Sequence, residues 1–141
     1  MTKYLDTSVL VSVLTNEIAS ARTRAWIDRQ QAGDLVISDW VVTEFSAALS
    51  IKLRMGAIVA NQRAEALVVF TRLSEQSLRV LPVERAQFRV AARLADQFAL
   101  GLRAADALHL AVVLDHGAVM CTLDRRLAEA AISLGAAADV L

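Results

Sequence analysis

Cysteine is almost absent from the chain. Cys121 is the only one, so no internal disulfide framework can form, and the sequence suits a reducing compartment. Proline is as scarce, and the single Pro82 falls where an apolar strand would close. Charge of one sign is not in excess either: 15 Lys and Arg stand against 15 Asp and Glu, and the pI is near 6.7. The basic surplus usual in nucleic-acid-binding proteins is therefore missing, which leaves only local arginine patches to meet a phosphate backbone. Long hydrophobic runs are missing as well. Uncharged apolar stretches such as residues 107–114 fall well short of the ~20 residues a membrane span needs. Asp6 and Glu17 interrupt the apolar opening where a signal segment would lie. No repeat, linker or low-complexity tract divides the sequence. The expectation is a soluble cytoplasmic protein with one compact domain, residues 1–141.

What the chain has in quantity is apolar side chain. Hydrophobic residues make up 56% of it and mean hydropathy is +0.46, more than a small monomer needs to build a core. The surplus points to an oligomer interface or a constant partner.

The apolar pattern divides into short strands and longer helices. Residues 3–5 read as a strand, followed by a short helix to Leu14 that Ser8 can cap. Ser20 can cap a second helix, buried through Ala21, Ala25 and Trp26. Residues 35–37 form a second strand. Ser38 or Asp39 then caps a helix whose stripe is Val41, Val42, Phe45, Leu49 and Leu53. A further helix over 58–75 makes a hairpin with it and offers a dimerisation surface. Residues 78–81 are a third strand, and 84–98 a helix with Phe88, Ala91, Ala92, Ala95 and Phe98 on one face. A helix ending at His116, a fourth strand over 118–122, a helix from Arg125 and a short edge strand over 137–141 complete the order. Strands alternating with helices predict a parallel sheet covered on both sides.

Four acids take comparable places in this pattern. Asp6 follows the first strand, Glu44 lies early in the helix after the second, Asp106 starts a helix, and Asp124 follows the fourth strand. The carboxyl edge of an open α/β sheet is where ligands bind, so all four can face one place. Carboxylates gathered without compensation repel one another and raise each other's pKa values. A hard divalent cation relieves that repulsion, because Mg2+ takes oxygen ligands and keeps several waters. Such an ion can polarise a phosphodiester and activate water.

These residues resemble the PIN-domain family, specifically the small toxin ribonucleases of bacterial VapBC-type toxin–antitoxin pairs. The resemblance is carried by Leu5-Asp6-Thr7-Ser8-Val9-Leu10, by Thr43-Glu44, by Gly101-Leu102-Arg103-Ala104-Ala105-Asp106-Ala107-Leu108-His109-Leu110-Ala111 and by Thr122-Leu123-Asp124-Arg125-Arg126-Leu127. It implies a PIN-like three-layer α/β/α sandwich with a central, mostly parallel sheet. It also implies an acidic quartet of Asp6, Glu44, Asp106 and Asp124 that binds Mg2+, with Mn2+ as a substitute, to hydrolyse RNA. Thr7 or Ser8 and Thr122 would help hold a carboxylate or a bound water, and Arg103, Arg125 and Arg126 would contact RNA. The implied partners are a VapB-like antitoxin that covers the active groove, a second copy in a homodimer, and operator DNA reached only through the antitoxin. No membrane association is implied.

Competing readings attach to the same residues. Asp6 can simply cap the first helix, Asp124 can be an ordinary acidic turn residue after a strand, Asp106 can complement a helix dipole, and Glu44 can be a partly exposed helix acid. His109, one turn beyond Asp106, reads as a packed histidine or one that supports a ligand, since the other candidate ligands are oxygen donors. Cys121 reads as a buried, inert thiol. An aspartyl phosphatase of the haloacid-dehalogenase kind needs a second acid two residues after the first, where this chain has Ser8. A solitary RNA-processing nuclease or a non-enzymatic dimeric regulatory protein also fits the pattern.

Overall fold

The short opening strand sits at the centre of a five-stranded sheet. A computed structural model describes residues 1–141, in the order β1 (Lys3–Leu5), α1 (Thr7–Leu14), α2 (Ser20–Asp28), β2 (Leu35–Ser38), α3 (Asp39–Arg54), α4 (Ala60–Gln76), β3 (Arg79–Leu81), α5 (Arg85–Asp96), a 3-10 turn (Phe98–Leu100), α6 (Ala104–His116), β4 (Val119–Thr122), α7 (Arg125–Ser133) and β5 (Ala138–Val140). The sheet order is β3-β2-β1-β4-β5. Every neighbouring pair is parallel, with Tyr4 level with both Val36 and Met120. All four residues of β2 and all four of β4 are buried, as expected of strands covered on both faces. Right-handed crossovers place α1–α4 over one face and α5–α7 over the other, giving a three-layer α/β/α sandwich. No helix is long and apolar enough to cross a membrane.

The connections set up the site. The chain leaves β1 toward β2 and leaves β4 toward β5, so the crossovers of these two adjacent strands run in opposite directions. The crevice above their carboxyl ends is the topological switch point of the sheet.

Leu5, Leu10, Ile37, Phe45, Leu49, Leu110 and Met120 are wholly buried. The rings of Phe45 on α3 and Phe70 on α4 stack with centroids 4.3 Å apart, which closes the helical hairpin. Helix α6 is buried from Ala107 to Val113 and ends where Gly117 takes the left-handed conformation, φ 57°, that favours glycine.

Three local expectations are corrected. Helix α5 does not bury Phe88, Ala92, Ala95 or Phe98, which are exposed. Its inner face is Gln87, Ala91 and Leu94. The polar member is tolerated because its amide donates to Asp115 Oδ2 on α6 at 2.9 Å. Helix α2 leaves Ala21 and Ala25 exposed and turns Ser20 and Thr23 inward. Those hydroxyls are held by α1: Thr23 Oγ1 meets Ser12 Oγ at 2.9 Å, and Ser20 Oγ donates to the Ser12 carbonyl. Helix α1 is capped by Asp6, whose carboxylate accepts from the Val9 amide, and not by Ser8.

Removing a ring from the stacked pair leaves a cavity that the two helices cannot close. Phe70→Ala is therefore expected to lower stability by about 3–5 kcal/mol. The exposed Phe88→Ala should stay within about 0.5 kcal/mol of wild type. Urea unfolding of the two variants checks the assignment of inner and outer faces.

Candidate functional site

Asp6 leaves the end of β1 with only 6% of its surface accessible. Thr122 Oγ1, at the end of β4, donates to Asp6 Oδ2 at 2.7 Å, while the Ser8 hydroxyl and the Val9 amide donate to Oδ1. Both carboxylate oxygens are thus fixed from β4 and from the first turn of α1. Ser8 Oγ also accepts the Leu123 amide at 3.1 Å, and Thr122 Oγ1 accepts the Asp124 amide at 2.9 Å. The two loops of the switch point are laced together through these hydroxyls. Burial pushes the Asp6 carboxyl above its usual range, against the lowering effect of the Ser8 and Thr122 hydrogen bonds.

Glu44 arrives from the second turn of α3. Thr7 Oγ1 donates to its Oε1 at 2.7 Å, and His109 Nε2 on α6 meets the same oxygen. Oε2 has no hydrogen-bond partner within the chain. Burial opposes its charge, but the hydrogen bond and charge of His109, with Thr7, outweigh it and draw the Glu44 carboxyl below its usual range. Asp106, in the first turn of α6, is half-buried. Burial raises its pKa, His109 lowers it, and Asp124, Asp6 and Glu44 each raise it. That mutual influence puts all four acids in one electrostatic neighbourhood. Asp124 is exposed and caps α7, its Oδ1 accepting the Arg126 and Leu127 amides. Asp6 and Asp124 are therefore caps and members of the acidic cluster together.

Thr7, Ser8 and Thr122 all direct their hydroxyls at acids of the cluster. Arg103, Arg125 and Arg126 are exposed beside Asp106 and Asp124, and none forms an ion pair with an acid. A shallow groove of about 430 Å3 runs past Thr7, Ser8, Leu123 and Asp124 toward Glu17. Cys121 lies buried behind the site, its thiol pushed up to about 12, mainly by burial. The pattern reading missed Tyr4 and Ser38. Tyr4 Oη joins Ser38 Oγ at 2.8 Å and His109 Nδ1 at 2.7 Å in the buried sheet. A tyrosine in a strand otherwise wholly apolar at its buried positions was the available signal, because a buried phenol needs a partner.

No three of the His, Cys, Asp and Glu side chains are drawn together tightly enough to make a ready-formed metal centre. The donor chemistry nevertheless suits a hard cation. The four facing groups offer carboxylate oxygen, no Lys or Arg pairs with any of them, and His109 is the one basic group joined to the cluster. Burial opposes the charge of Asp6, burial and repulsion by the other acids oppose that of Asp106, and the oxygen donors of the set are of the kind that would suit a divalent ion keeping part of its water shell.

A parallel sheet with an acidic cluster at its switch point is a site of the class that suits a divalent cation and a phosphate-bearing ligand. The chain belongs to the PIN-domain family, a family of nucleases, whose model matches residues 3–133. It is similar in structure to FitAcB from Neisseria gonorrhoeae, with 25% identity and a TM-score of 0.70 over 97% of this chain and 96% of that one. It is likewise similar to PAE2754 from Pyrobaculum aerophilum, at 26% identity and a TM-score of 0.71 over 99% of this chain and 84% of that one. The Mycobacterium tuberculosis toxin VapC20, which cleaves the sarcin-ricin loop, shares the fold at 19% identity and a TM-score of 0.68, covering 84% and 87% of the two chains. No curated protein sequence matches the chain.

The raised acids set a pH dependence. Asp6 and Asp106 hold protons more tightly folded than unfolded, so their contribution to stability is present below the ordinary carboxylate value and is lost as pH rises from there through their raised folded values. Glu44 has the opposite sign: its contribution is present above its ordinary value and lost as pH falls through its lowered folded value. Asp106→Asn removes one repelling charge and leaves Glu44 in place. In EDTA, its melting temperature relative to wild type should rise as pH goes from about 4 to about 8. Thermal melts over that range measure the difference, and a flat difference would remove the repulsion from the account.

Proposed function

We propose that the protein is a metal-dependent endoribonuclease that hydrolyses RNA phosphodiester bonds and acts as the toxin of a toxin–antitoxin pair. The observation that carries this reading is the meeting of Asp6, Glu44, Asp106 and Asp124 at the switch point of a PIN domain, with no Lys or Arg to neutralise them. Asp6, Glu44 and Asp106 would be the main holders of Mg2+ or Mn2+, with Asp124 supporting a second ion or the substrate. A cation held by these carboxylates would supply Lewis-acid activation of water and neutralisation of charge at the departing oxygen.

The protein's own groups supply the rest. Thr122 and Ser8 hold Asp6 in place by donating to both of its oxygens, which favours its charged form against the effect of burial. Thr7 and His109 occupy Glu44 Oε1 and leave Oε2 without a hydrogen bond in the chain. Arg103, Arg125 and Arg126 stand at the rim, where they can meet phosphates on either side of the scissile bond. Three exposed arginines near Asp106 and Asp124 would make a local positive patch in a chain without an overall basic charge.

The partners proposed are a VapB-like antitoxin that covers the groove and a second copy of the chain, with operator DNA reached only through the antitoxin. Exposed apolar side chains on the hairpin, among them Ile51, Met55, Val59 and Val68, support an apolar partner surface there. A 290 Å3 hollow between the end of α1 and α4, lined by Leu14, Ile58, Ala66 and Val69, adds to it. A short adjoining gene for a DNA-binding protein separates the toxin reading from that of a solitary RNA-processing nuclease.

Asp6→Asn keeps the volume and the helix cap. It should fold as wild type while losing more than about a hundredfold of its Mn2+-dependent RNA cleavage, the upper end of what losing an outer partner of a metal ligand costs. EDTA should abolish cleavage by the wild type. Sequencing RNA 5′ ends after brief induction of each form in cells tests the chemistry and names the target. Equal cleavage by both forms refutes the assigned role.

A further inference from the structure

Behind Glu44 lies a hydrogen-bonded chain that crosses the sheet. Ser38 Oγ, wholly buried at the end of β2, meets Tyr4 Oη at 2.8 Å; Tyr4 Oη meets His109 Nδ1 at 2.7 Å; and His109 Nε2 meets Glu44 Oε1. The order of donors is fixed at one end. A carboxylate oxygen only accepts, so Nε2 carries the proton that goes to Glu44, and Nδ1 turns to the phenol. The Tyr4 and His109 rings meet edge to face, with centroids 5.7 Å apart at 64°, so packing holds the imidazole plane as well. His109 is 3% accessible and Tyr4 wholly buried, so water does not compete for either ring. The three groups come from β1, β2 and α6, and Ser38 directly precedes the helix that bears Glu44.

We propose that His109 is a positioning residue for Glu44, aligned by Tyr4 and Ser38, and that this relay sets how well the acidic centre holds its divalent ion. The inference rests on the role proposed above for Glu44. Without the relay, Glu44 keeps only the Thr7 hydroxyl and turns about its terminal bonds. With it, Oε1 is pinned by two donors, one from α1 and one from α6, and Oε2 is left free for the ion. A shared carboxylate–histidine arrangement of this kind, anchored on a rigid strand, is a known way to order a ligand that is itself on a helix surface. Ser38 is thereby withdrawn from the capping of α3, where it stands at the N-cap position but makes no side-chain cap bond.

Binding of MnCl2 alone, followed by electron paramagnetic resonance without RNA, tests the relay in the full chain, alongside kcat and KM for a fluorescent single-stranded RNA. Tyr4→Phe and His109→Leu should each weaken Mn2+ binding by about 10–100-fold and lower kcat at saturating RNA with KM little changed. His109→Gln, whose amide can still donate to Glu44, should recover most of the Mn2+ affinity that His109→Leu loses. Should Tyr4→Phe fail to fold, Ser38→Ala tests the same chain from its far end. Wild-type Mn2+ affinity and kcat in the relay variants, beside a Glu44→Gln variant that has lost both, overturn the relay and leave the assignment of Glu44 standing. Wild-type Mn2+ binding in Glu44→Gln overturns that assignment, and the relay with it.

Discussion

The hydrogen bond from Thr122 to Asp6 ties the end of β4 to the end of β1 at the one place in the sheet where the crossovers diverge. At that junction two chain segments 116 residues apart are brought within bonding distance. An acid placed there is surrounded by amides and hydroxyls that have no strand partner beyond the sheet edge. Asp6 uses them: it closes α1 from its own side and is closed by Thr122 from the other. Loss of this contact would release the loops that carry both Asp6 and Asp124, since Ser8 and Thr122 also hold the Leu123 and Asp124 amides. The fold and the site therefore share a single set of side chains.

Like-charge repulsion is the cost of this arrangement. Folding brings Asp106 under the influence of three other acids while partly removing it from water. The fold offsets only a share of that. Glu44 is compensated by His109 and Thr7, and Asp6 by its hydroxyls, but Asp106 makes no hydrogen bond or salt bridge and has only the charge of His109 to set against the other acids. A structure that accepts such a local penalty, with an otherwise well-satisfied core, has put the strain where a bound cation would relieve it. Nothing in the packing of the sheet requires Asp106 to be acidic.

The layout of the sheet was readable because each element was marked twice. Residues 35–37 and 118–122 are short apolar runs of the kind parallel strands need, and Gly117 and Gly135 stop the helices beside them. The four acids were readable for a related reason, since each follows a strand or opens a helix that returns to the same edge. Helix α5 was misread because alanines and phenylalanines at helical spacing look like a core stripe. Burial followed the shape of α6 instead, which admits the small Ala91 and a hydrogen-bonded Gln87 and leaves Phe88 outside. The Tyr4–His109–Ser38 chain was illegible for a deeper reason. Its members lie 34 and 105 residues apart in sequence, and nothing local says that a strand tyrosine will find a helix histidine.

The same hydrogen bonds arrange the four acids in order of freedom. Asp6 has both oxygens occupied and is almost wholly buried. Glu44 has one oxygen occupied twice and the other open. Asp124 spends one oxygen on the cap of α7 and stands in solvent, and Asp106 spends neither. This gradient from Asp6 to Asp106 follows from where each acid was placed. Asp6 sits at a strand end tied to the neighbouring strand by Thr122, and Glu44 on a helix beside Thr7 and His109. Asp124 stands at a helix cap in solvent, and Asp106 in a first turn whose backbone amides it does not cap.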